Sequence, residues 1–406
     1  MYTLAGKNIV VGVSGSIAAF KVAGWVSALA KAEANVTVIM TEAAQRFVTP
    51  LTFAALSGNR VYGAMFAADA GEEMTHIRLA READVMLIAP ASAQTLARLA
   101  HGLADDLLAV TTLATRAPVL ICPAMNSAMY SHAATRANLE TLRVHGYHLL
   151  QAASGVLACG EEGQGRLAEW PDVQPFLLRL VTPQDLAKKK ILVTAGPTRE
   201  AIDPARFLSN RSSGKMGYAL ARAAMARGAE VVLVSGPSAL PDPAGVRVRR
   251  VISALDMYEA VLAEAADADV VIKAAAVADY RPATVFDEKV KKDQIDTSLS
   301  LIANPDILLE LGRRKRPGQI LIGFAAETRN LEAAGRKKLA AKNLDLIAVN
   351  NVKAAGGGFE AETNQLLLIG RDQVAPEALP LVSKDAAAHM LLDRVSWLFR
   401  QAARLQ

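Results

Sequence analysis

The chain has 406 residues, of which 52% are hydrophobic and 21% are charged, and its formal net charge is +5. This composition excludes an intrinsically disordered chain, and the length predicts two or three domains of about 150 residues each. The small positive charge is spread over the whole chain, which excludes a concentrated nucleic-acid surface. The longest apolar runs stop short of the ~18 residues that a membrane helix needs. We therefore expect small-molecule partners, no nucleic acid and no membrane.

The chain has two cysteines, Cys122 and Cys159. Their wide spacing excludes a disulfide scaffold and a CxxC metal motif, and it predicts a reducing, cytoplasmic compartment. Cys122 lies in an apolar strand and is predicted to be inert core. Cys159 lies in a glycine-rich stretch that predicts a mobile loop or lid, where a thiol is available to react.

The first half alternates apolar strands with amphipathic helices. A strand beginning at Ile9 precedes a helix with apolar residues at i, i+3, i+4 and i+7, and a second strand follows at 36–40. Further strands are predicted at 85–89 and 119–122. Continuous apolar strands separated by helices predict an α/β fold with a doubly wound, mainly parallel sheet.

The same pattern begins again at Ile191. A helix at 216–227 and strands at 270–274, 320–324, 346–350 and 366–369 follow it. We therefore predict two tandem doubly wound, mainly parallel sheets. The predicted domains are 1–182 and 191–406, joined by a linker at 183–190 that holds Pro183 and three lysines.

Polar residues follow three strands of the first half. Ser14-Gly15-Ser16 follows the first strand, Thr41 follows the second, and Ser92 to Thr95 follow the strand at 85–89. Ligands of open α/β sheets collect at the carboxyl ends of strands, and helix N-termini favour phosphate. The first loop fits either a phosphate site or a plain turn. It lacks the complete G-x-G-x-x-G pattern, which argues against an NAD(P)-dependent enzyme.

Two further side chains are ambiguous when they are considered alone. His76 begins a helix, where a surface or capping histidine is the ordinary role. Asn126 follows the strand at 119–122, where its amide either caps the next helix or binds a carboxylate.

Taken together, GVSGSIAAFK (12–21), PASAQT (90–95), PAMN (123–126), His76 and ACGxxGxGR (158–166) resemble the flavin-dependent cysteine decarboxylases. The resemblance is specifically to the phosphopantothenoylcysteine decarboxylase domain, and it covers the predicted first domain. It implies a flavodoxin-like flavoprotein domain that binds FMN. The FMN-binding residues that it implies are Ser14, Gly15, Ser16, Thr41, Ser92 and Thr95.

The resemblance also implies catalytic roles. In this family the flavin oxidises the cysteinyl thiol to a thioaldehyde, which makes loss of carbon dioxide easy. The implied roles are His76 as base, Asn126 as the residue that holds the carboxylate, and Cys159 as a proton donor. The family forms these sites between subunits of a trimer, which implies a homo-oligomer.

Three residues depart from the family pattern. Gln94 stands where asparagine is common, Asp105 stands where asparagine is usual, and Leu167 replaces a usual methionine. Asp105 matters most, because a carboxylate close to a flavin or its phosphate would repel negative charge.

Polar or small residues also follow strands of the second half. They lie in TAGPTRE (194–200), SNRSSGKMG (209–217), KAAAVADY (273–280), NPDI (304–307) and GFAAET (323–328). The GK pair is not a Walker motif, because the G-x-x-x-x-G-K-[ST] frame is absent. Lysines 289, 291 and 292 form a cluster for which a solvated face is the alternative to an anion site.

These segments, with KNLDLI (342–347), resemble the phosphopantothenate–cysteine ligase domain. The resemblance implies a Rossmann-like, CTP-dependent ligase that forms an acyl cytidylate, which the amine of L-cysteine then opens. Lys289 and Mg²⁺ or another divalent cation would neutralise the triphosphate, and Asn210 would stabilise the acyl intermediate. The metal ligands remain unassigned. The implied CTP-binding residues are Lys273, Ala274, Ala275, Asp279, Lys289, Pro305, Asp306, Ile307, Leu308, Phe324, Lys338 and Lys342.

The two resemblances together imply a bifunctional enzyme of coenzyme A biosynthesis. The second domain would ligate L-cysteine to 4′-phosphopantothenate, and the first would decarboxylate 4′-phosphopantothenoylcysteine to 4′-phosphopantetheine. The implied homo-oligomer has trimeric decarboxylase contacts and dimeric ligase contacts. The alternative is a non-catalytic flavin-binding regulatory protein that retains the fold, which the departures at Gln94 and Asp105 would suit.

Overall fold

The computed structural model describes residues 4–65, 74–290, 298–327, 329–351, 361–371 and 375–404. The chain divides into two compact units, Tyr2–Pro183 and Gln184–Gln406, and each unit is described by itself. None of the described helices combines the length and the apolar character needed to cross a membrane.

In the described part of the first unit, six parallel strands form the main sheet. They are β1 (Asn8–Val13), β2 (Asn35–Met40), β3 (Val61–Tyr62), β4 (Val85–Ala91), β5 (Val119–Pro123) and β6 (His148–Leu149). Their order is β3-β2-β1-β4-β5-β6. Without the two-residue edge strand β3, this is the flavodoxin-type order, in which ligands bind where the chain order reverses. Here the reversal lies between β1 and β4.

Helices cover both faces of this sheet. They are α1 (Ala19–Lys31), α2 (Pro50–Ser57), α3 (Thr75–Glu82), α4 (Ala93–His101), α5 (Leu107–Ala114), α6 (Ser127–Ser131), α7 (Ala133–Val144) and α8 (Trp170–Val181), with a short 3-10 turn at Ala44–Arg46. The predicted apolar stripe of α1 is confirmed, because Val22, Trp25, Val26 and Leu29 are all buried. The predicted α/β class of this unit is therefore confirmed.

The glycine-rich stretch around Cys159 forms regular structure rather than the predicted mobile loop. Strands β7 (Ala153–Val156) and β8 (Glu162–Arg166) make an antiparallel hairpin. Gly165 has φ +149°, and a Cβ atom there would lie 2.3 Å from the carbonyl oxygen of Met125. The carbonyl of Gly165 accepts the N–H of Met125 at 2.9 Å, so the hairpin docks on the residues after β5. Cys159 is exposed in the connecting turn.

The second unit repeats the architecture with additional antiparallel pieces. Its strands are β9 (Lys190–Ala195), β10 (Arg199–Asp203), β11 (Arg206–Ser209), β12 (Glu230–Ser235), β13 (Arg247–Arg250), β14 (Val270–Lys273), β15 (Tyr280–Pro282), β16 (Leu301–Ala303), β17 (Ile320–Glu327), β18 (Leu346–Asn351), β19 (Thr363–Asn364), β20 (Leu366–Gly370), β21 (Glu377–Ala378) and β22 (Val382–Ser383). The main sheet has the order β13-β12-β9-β14-β17-β18-β20-β21. The strands from β13 to β18 are parallel and have the Rossmann order, with a reversal between β9 and β14.

Two helical layers cover this sheet. The helices are α9 (Lys215–Ala226), α10 (Ala254–Ala265), α11 (Ile307–Arg314), α12 (Leu331–Ala341) and α13 (Lys384–Arg404). Buried side chains of α9 and α13 share one core, and those of α10, α11 and α12 share the core on the opposite face. The second predicted parallel α/β sheet is therefore confirmed.

The predicted linker at 183–190 needs correction. Leu186 is fully buried in the core of the second unit, and Asp185 accepts a hydrogen bond from Nε of Arg227 at 2.8 Å. Residues 184–189 therefore pack as part of the second unit, and β9 begins at Lys190.

Candidate active sites

In the first unit, the loops after β1 and β4 are joined by the hydroxyl of Ser14. Its Oγ atom donates to the carbonyl of Pro90 at 2.7 Å and accepts from the N–H of Ser92 at 2.9 Å. Ser14 is almost fully buried, so its hydroxyl fixes the two loops relative to each other. Ser92 caps α4 by accepting the N–H of Thr95 at 3.3 Å.

The loop after β2 packs against the same place. A Cβ atom on Gly15 would lie 2.5 Å from Cβ of Ala43, so this close approach requires a glycine. The hydroxyls of Ser16 and Thr41 accept backbone N–H groups two and three residues ahead. The predicted flavin-binding residues thus meet at the reversal between β1 and β4. Small residues and helix N-termini in this arrangement fit the phosphate of a flavin mononucleotide.

Asn126 and Cys159 line one cavity of about 560 Å³. Nδ2 of Asn126 lies 3.5 Å from Sγ of Cys159 and donates to Oε2 of Glu161 at 2.7 Å. Its Oδ1 atom accepts the N–H of Ala128 at 2.8 Å and so caps α6. Both interpretations of Asn126 are therefore compatible, because one amide end caps the helix while the other faces the thiol.

Ser16 also lines this cavity, which links it to the loop after β1. Apolar side chains form much of its wall, and two cations, Lys21 and Arg166, complete it. Both cations bind Glu169, at 2.8 and 2.7 Å. The hydrogen bond from Lys21 is the main reason that the pKa of Glu169 lies below its ordinary value. An apolar cavity with cationic side chains suits a ligand that combines an apolar chain with a carboxylate.

His76 is not among the residues that line this cavity, although it is described. It is half-buried in the first turn of α3. The family departures are accommodated without strain: Arg98 pairs with Asp105 at 3.0 Å, Leu167 is buried in the cavity wall, and Gln94 is exposed. The charge of Asp105 is therefore offset by a partner on α4.

In the second unit, a cavity of about 410 Å³ opens at the carboxyl edge of the sheet. It gathers residues from segments that are distant in sequence, because the carboxyl ends of β9, β14 and β17 are neighbours. The predicted residues that line it are Asn210, Lys273, Ala274, Ala275, Asp279, Leu308, Phe324, Lys338 and Lys342.

Four predicted nucleotide residues do not line this cavity. Asp306 caps α11 and pairs with Lys342 at 2.9 Å. Its carboxylate therefore contacts a lysine that lines the cavity, although Asp306 itself does not line it. Ile307 is buried in the core, because the first turn of α11 packs under the sheet. Pro305 and the exposed Lys289 are the other two, and the neighbouring lysines 291 and 292 lie outside the described residues.

The cavity is cationic. Burial, together with the charge of Lys342, lowers the pKa of Lys273 to about 8. Lys338 pairs with Glu327 at 2.7 Å. The first turn of α9 also lines the cavity and begins without a side-chain cap. Ammonium groups with a helix N-terminus favour a polyanionic ligand.

Asn350, Asn364 and Lys384 also line this cavity, although none of them lies in the segments that carry the ligase resemblance. Asn350 is the penultimate residue of β18, so the rule that ligands bind at strand ends could have identified it. Asn364 ends the two-residue strand β19, and Lys384 begins α13 directly after the two-residue strand β22, and no periodicity predicts either short strand. The described residues contain no cluster of three or more histidine, cysteine or acidic side chains that could hold a metal.

Comparisons with known proteins cover both units. Residues 2–182 match the family model described as Flavoprotein, and residues 186–398 match the DNA/pantothenate metabolism flavoprotein C-terminal domain. The coenzyme A biosynthesis bifunctional protein CoaBC of Bacillus subtilis is 48% identical over 402 residues, which cover 98% of each chain. That of Vibrio vulnificus is 46% identical over 400 residues, covering 98% of this chain and 99% of the relative. A crystal structure of the C-terminal domain of a CoaBC protein is 44% identical, covers 54% of this chain and 99% of that chain, and has a TM-score of 0.47.

Proposed function

This chain belongs to the family of coenzyme A biosynthesis bifunctional proteins, and we propose that it ligates L-cysteine to 4′-phosphopantothenate with CTP and decarboxylates the product. The second unit performs the ligation, and the first unit forms 4′-phosphopantetheine. The observation that carries the proposal is the cavity in which Asn126 and Cys159 meet beside the loop that holds Ser16.

In the first unit, the loops at Ser14–Ser16, Thr41 and Ser92–Thr95 would hold FMN. When bound, FMN supplies the oxidation of the substrate thiol and the later return of a hydride. Asn126 directs an amide N–H at the substrate carboxylate, and Lys21 and Arg166 supply positive charge nearby. Cys159 holds a proton on the hairpin turn opposite that amide.

His76 is proposed as the base. Because it does not line the cavity of its own chain, this role requires a site completed by another subunit. The proposal therefore includes a homo-oligomer with trimeric contacts between first units and dimeric contacts between second units.

In the second unit, Lys273, Lys338 and Lys342 neutralise the triphosphate of CTP. Mg²⁺ or another divalent cation arrives with the nucleotide, and Asp279 is the acidic side chain among those that line the cavity. Nδ2 of Asn210 donates to the carbonyls of Ala276 at 3.2 Å and Val277 at 3.0 Å. These bonds hold Asn210 at the wall, where we assign it to the acyl intermediate. Lys289 acts on the triphosphate from the segment after β15.

The test is to mix the protein with CTP, magnesium, 4′-phosphopantothenate and L-cysteine, and to follow pyrophosphate, CMP and carbon dioxide separately. We expect all three products from a yellow protein. Absence of pyrophosphate would overturn the ligase assignment. Bound flavin and pyrophosphate without carbon dioxide would overturn the decarboxylase assignment and favour a regulatory flavoprotein.

A further inference from the structure

Two buried carboxamides in the second unit have no part in the function proposed above. Asn350 and Asn364 are 8% and 2% exposed, and both line the cavity. The Oδ1 atom of each has no hydrogen-bond partner among the described residues. Buried polar atoms are nearly always hydrogen-bonded, so two unpaired acceptors in one cavity wall indicate a ligand that brings donors.

Strand pairing brings these amides together with two lysines. Asn350 pairs with Leu366 in the β18–β20 ladder, and Asn364 lies two residues before that partner. Asn364 also pairs with Val382 in the β19–β22 ladder, and Val382 lies two residues before Lys384. Lys384 is 5% exposed and lines the cavity with Lys215, which pairs with Glu362. Carbonyl acceptors and ammonium groups therefore lie in the same wall.

This wall lies on the opposite face of the sheet from Leu308 and Lys338, whereas Ala274 and Phe324 pack on its own face. Along β18, Leu346 and Ala348 belong to the core under α9 and α13, whereas Ile347 and Val349 belong to the other core. Alternation places Asn350 on the α9 and α13 face. Leu308 and Lys338 belong to α11 and α12, which cover the other face. The amides therefore lie away from Leu308 and Lys338, on a face of the cavity that is available to a second substrate beside the nucleotide.

Acceptors beside ammonium groups match a ligand that carries an amine and a carboxylate on adjacent atoms, as an α-amino acid does. We propose that Asn350 and Asn364 form the amine subsite for the amino-acid substrate, with Lys384 beside its carboxylate. This inference rests on the proposed ligase function. The two Oδ1 atoms accept the N–H hydrogens of the neutral amine and leave its lone pair free for the acyl carbon.

In the reaction that this subsite serves, the amine nitrogen forms a bond to the acyl carbon of the acyl cytidylate. The acyl carbon–oxygen bond breaks, CMP leaves with the electron pair, and the nitrogen loses one proton to water. The first half-reaction, which releases pyrophosphate from CTP and 4′-phosphopantothenate, occurs before the amine is used.

The test compares Asn350→Leu and Asn364→Leu with the size-matched Asn350→Asp and Asn364→Asp, which keep an acceptor oxygen, in the full-length protein. The leucine variants should raise the KM for L-cysteine about tenfold or more, which is the loss of a binding contact. The aspartate variants should stay within about threefold of the wild type. Pyrophosphate release without cysteine should keep its rate in all four.

An unchanged KM for cysteine in both leucine variants would overturn the proposal, as would a raised KM for CTP alone, which would place the amides against the base. Thermal melting checks folding, and Asn350→Ala and Asn364→Ala repeat the comparison if a leucine variant melts early. Failure of the ligase function itself would appear differently, as a wild-type protein that releases no pyrophosphate.

Discussion

Nδ2 of Asn126 lies 3.5 Å from Sγ of Cys159, although the two residues come from different elements. Asn126 follows β5, and Cys159 occupies the turn between β7 and β8. Because Gly165 docks the hairpin on Met125, this contact depends on the backbone of β8 rather than on the thiol. An amide donor and a transferable proton therefore face the same cavity.

Replacing Cys159 by serine should lower the formation of 4′-phosphopantetheine by about 10² or more, because the reduction that follows the loss of carbon dioxide lacks its proton donor. Pyrophosphate and CMP release should be unchanged, since they belong to the second unit. The matched control is Ala158→Ser, which adds a hydroxyl to the same exposed turn and leaves the thiol in place. Formation of 4′-phosphopantetheine by Cys159→Ser at the wild-type rate would exclude the proton-donor role.

Gly165→Ala should destabilise the first unit by about 1–3 kcal/mol, because the added Cβ meets the carbonyl of Met125 at a positive φ. Gly24→Ala is the matched control: it lies within α1, where nothing stands within 4 Å of an added Cβ. Alanine is the better helix former there, so this variant should melt at the same temperature or higher. Chemical denaturation measures both, and equal stability of the two variants would contradict the docking argument.

Arg227→Met should cost about 1–3 kcal/mol of unfolding free energy, because it removes a buried guanidinium and leaves the carbonyl of His389 and the partly buried Asp185 without their donor. The guanidinium is 1% exposed and bonds to Asp185, to Asp393 and to the carbonyl of His389. Arg222→Met is the control, since its pair with Asp385 is exposed and worth less than about 1 kcal/mol. Equal losses in the two variants would show that burial of Arg227 is unimportant.

The ion pair between Arg227 and Asp185 predicts that the free energy of unfolding falls at acidic pH. Burial raises the pKa of Asp185, but hydrogen bonds from Arg227 and Ser396 outweigh it and hold the pKa below the ordinary value. The pair therefore stabilises the fold above the ordinary aspartate pKa, and this contribution is lost as the pH falls through the lowered value. Unfolding free energies measured between pH 6 and 3 should fall less steeply in Arg227→Met than in the wild type.

CTP binding should take up protons near pH 8. Burial lowers the pKa of Lys273 to about 8, so this lysine is half-protonated there in the free protein. A bound triphosphate favours the ammonium form, which gives an uptake of about half a proton and an affinity that falls as the pH rises. Titration calorimetry at pH 8 in two buffers of different ionisation enthalpy measures this. Lys273→Arg stays charged and should show no uptake from this position, and equal uptake by both proteins would assign the proton elsewhere.

The amino-acid sequence by itself determined the elements and the class of fold. Continuous apolar strands such as the one at Ile9 predict burial on both faces, and the i, i+3, i+4 stripe from Val22 predicts a covering helix. Both predictions are confirmed, since local periodicity records which side of an element is buried. Polar residues at strand ends, such as Asn126 and Lys273, could also be identified from the sequence, because predicting a strand also predicts the position where it ends.

Only the tertiary structure decided which of those residues share a cavity. The strand order places β14 beside β9 and β17, so Lys273, Phe324 and Asn210 meet while Lys289 does not join them. The hairpin that carries Cys159 has four glycines and no hydrophobic periodicity, so the sequence did not predict the pairing of β7 with β8. The hairpin is positioned by the close approach of Gly165 to Met125, which is a tertiary contact. Asn364 ends one two-residue strand and Lys384 directly follows another, and strands this short have no periodicity in the sequence. Contacts between residues distant in sequence depend on sheet order and register, and no local pattern records either.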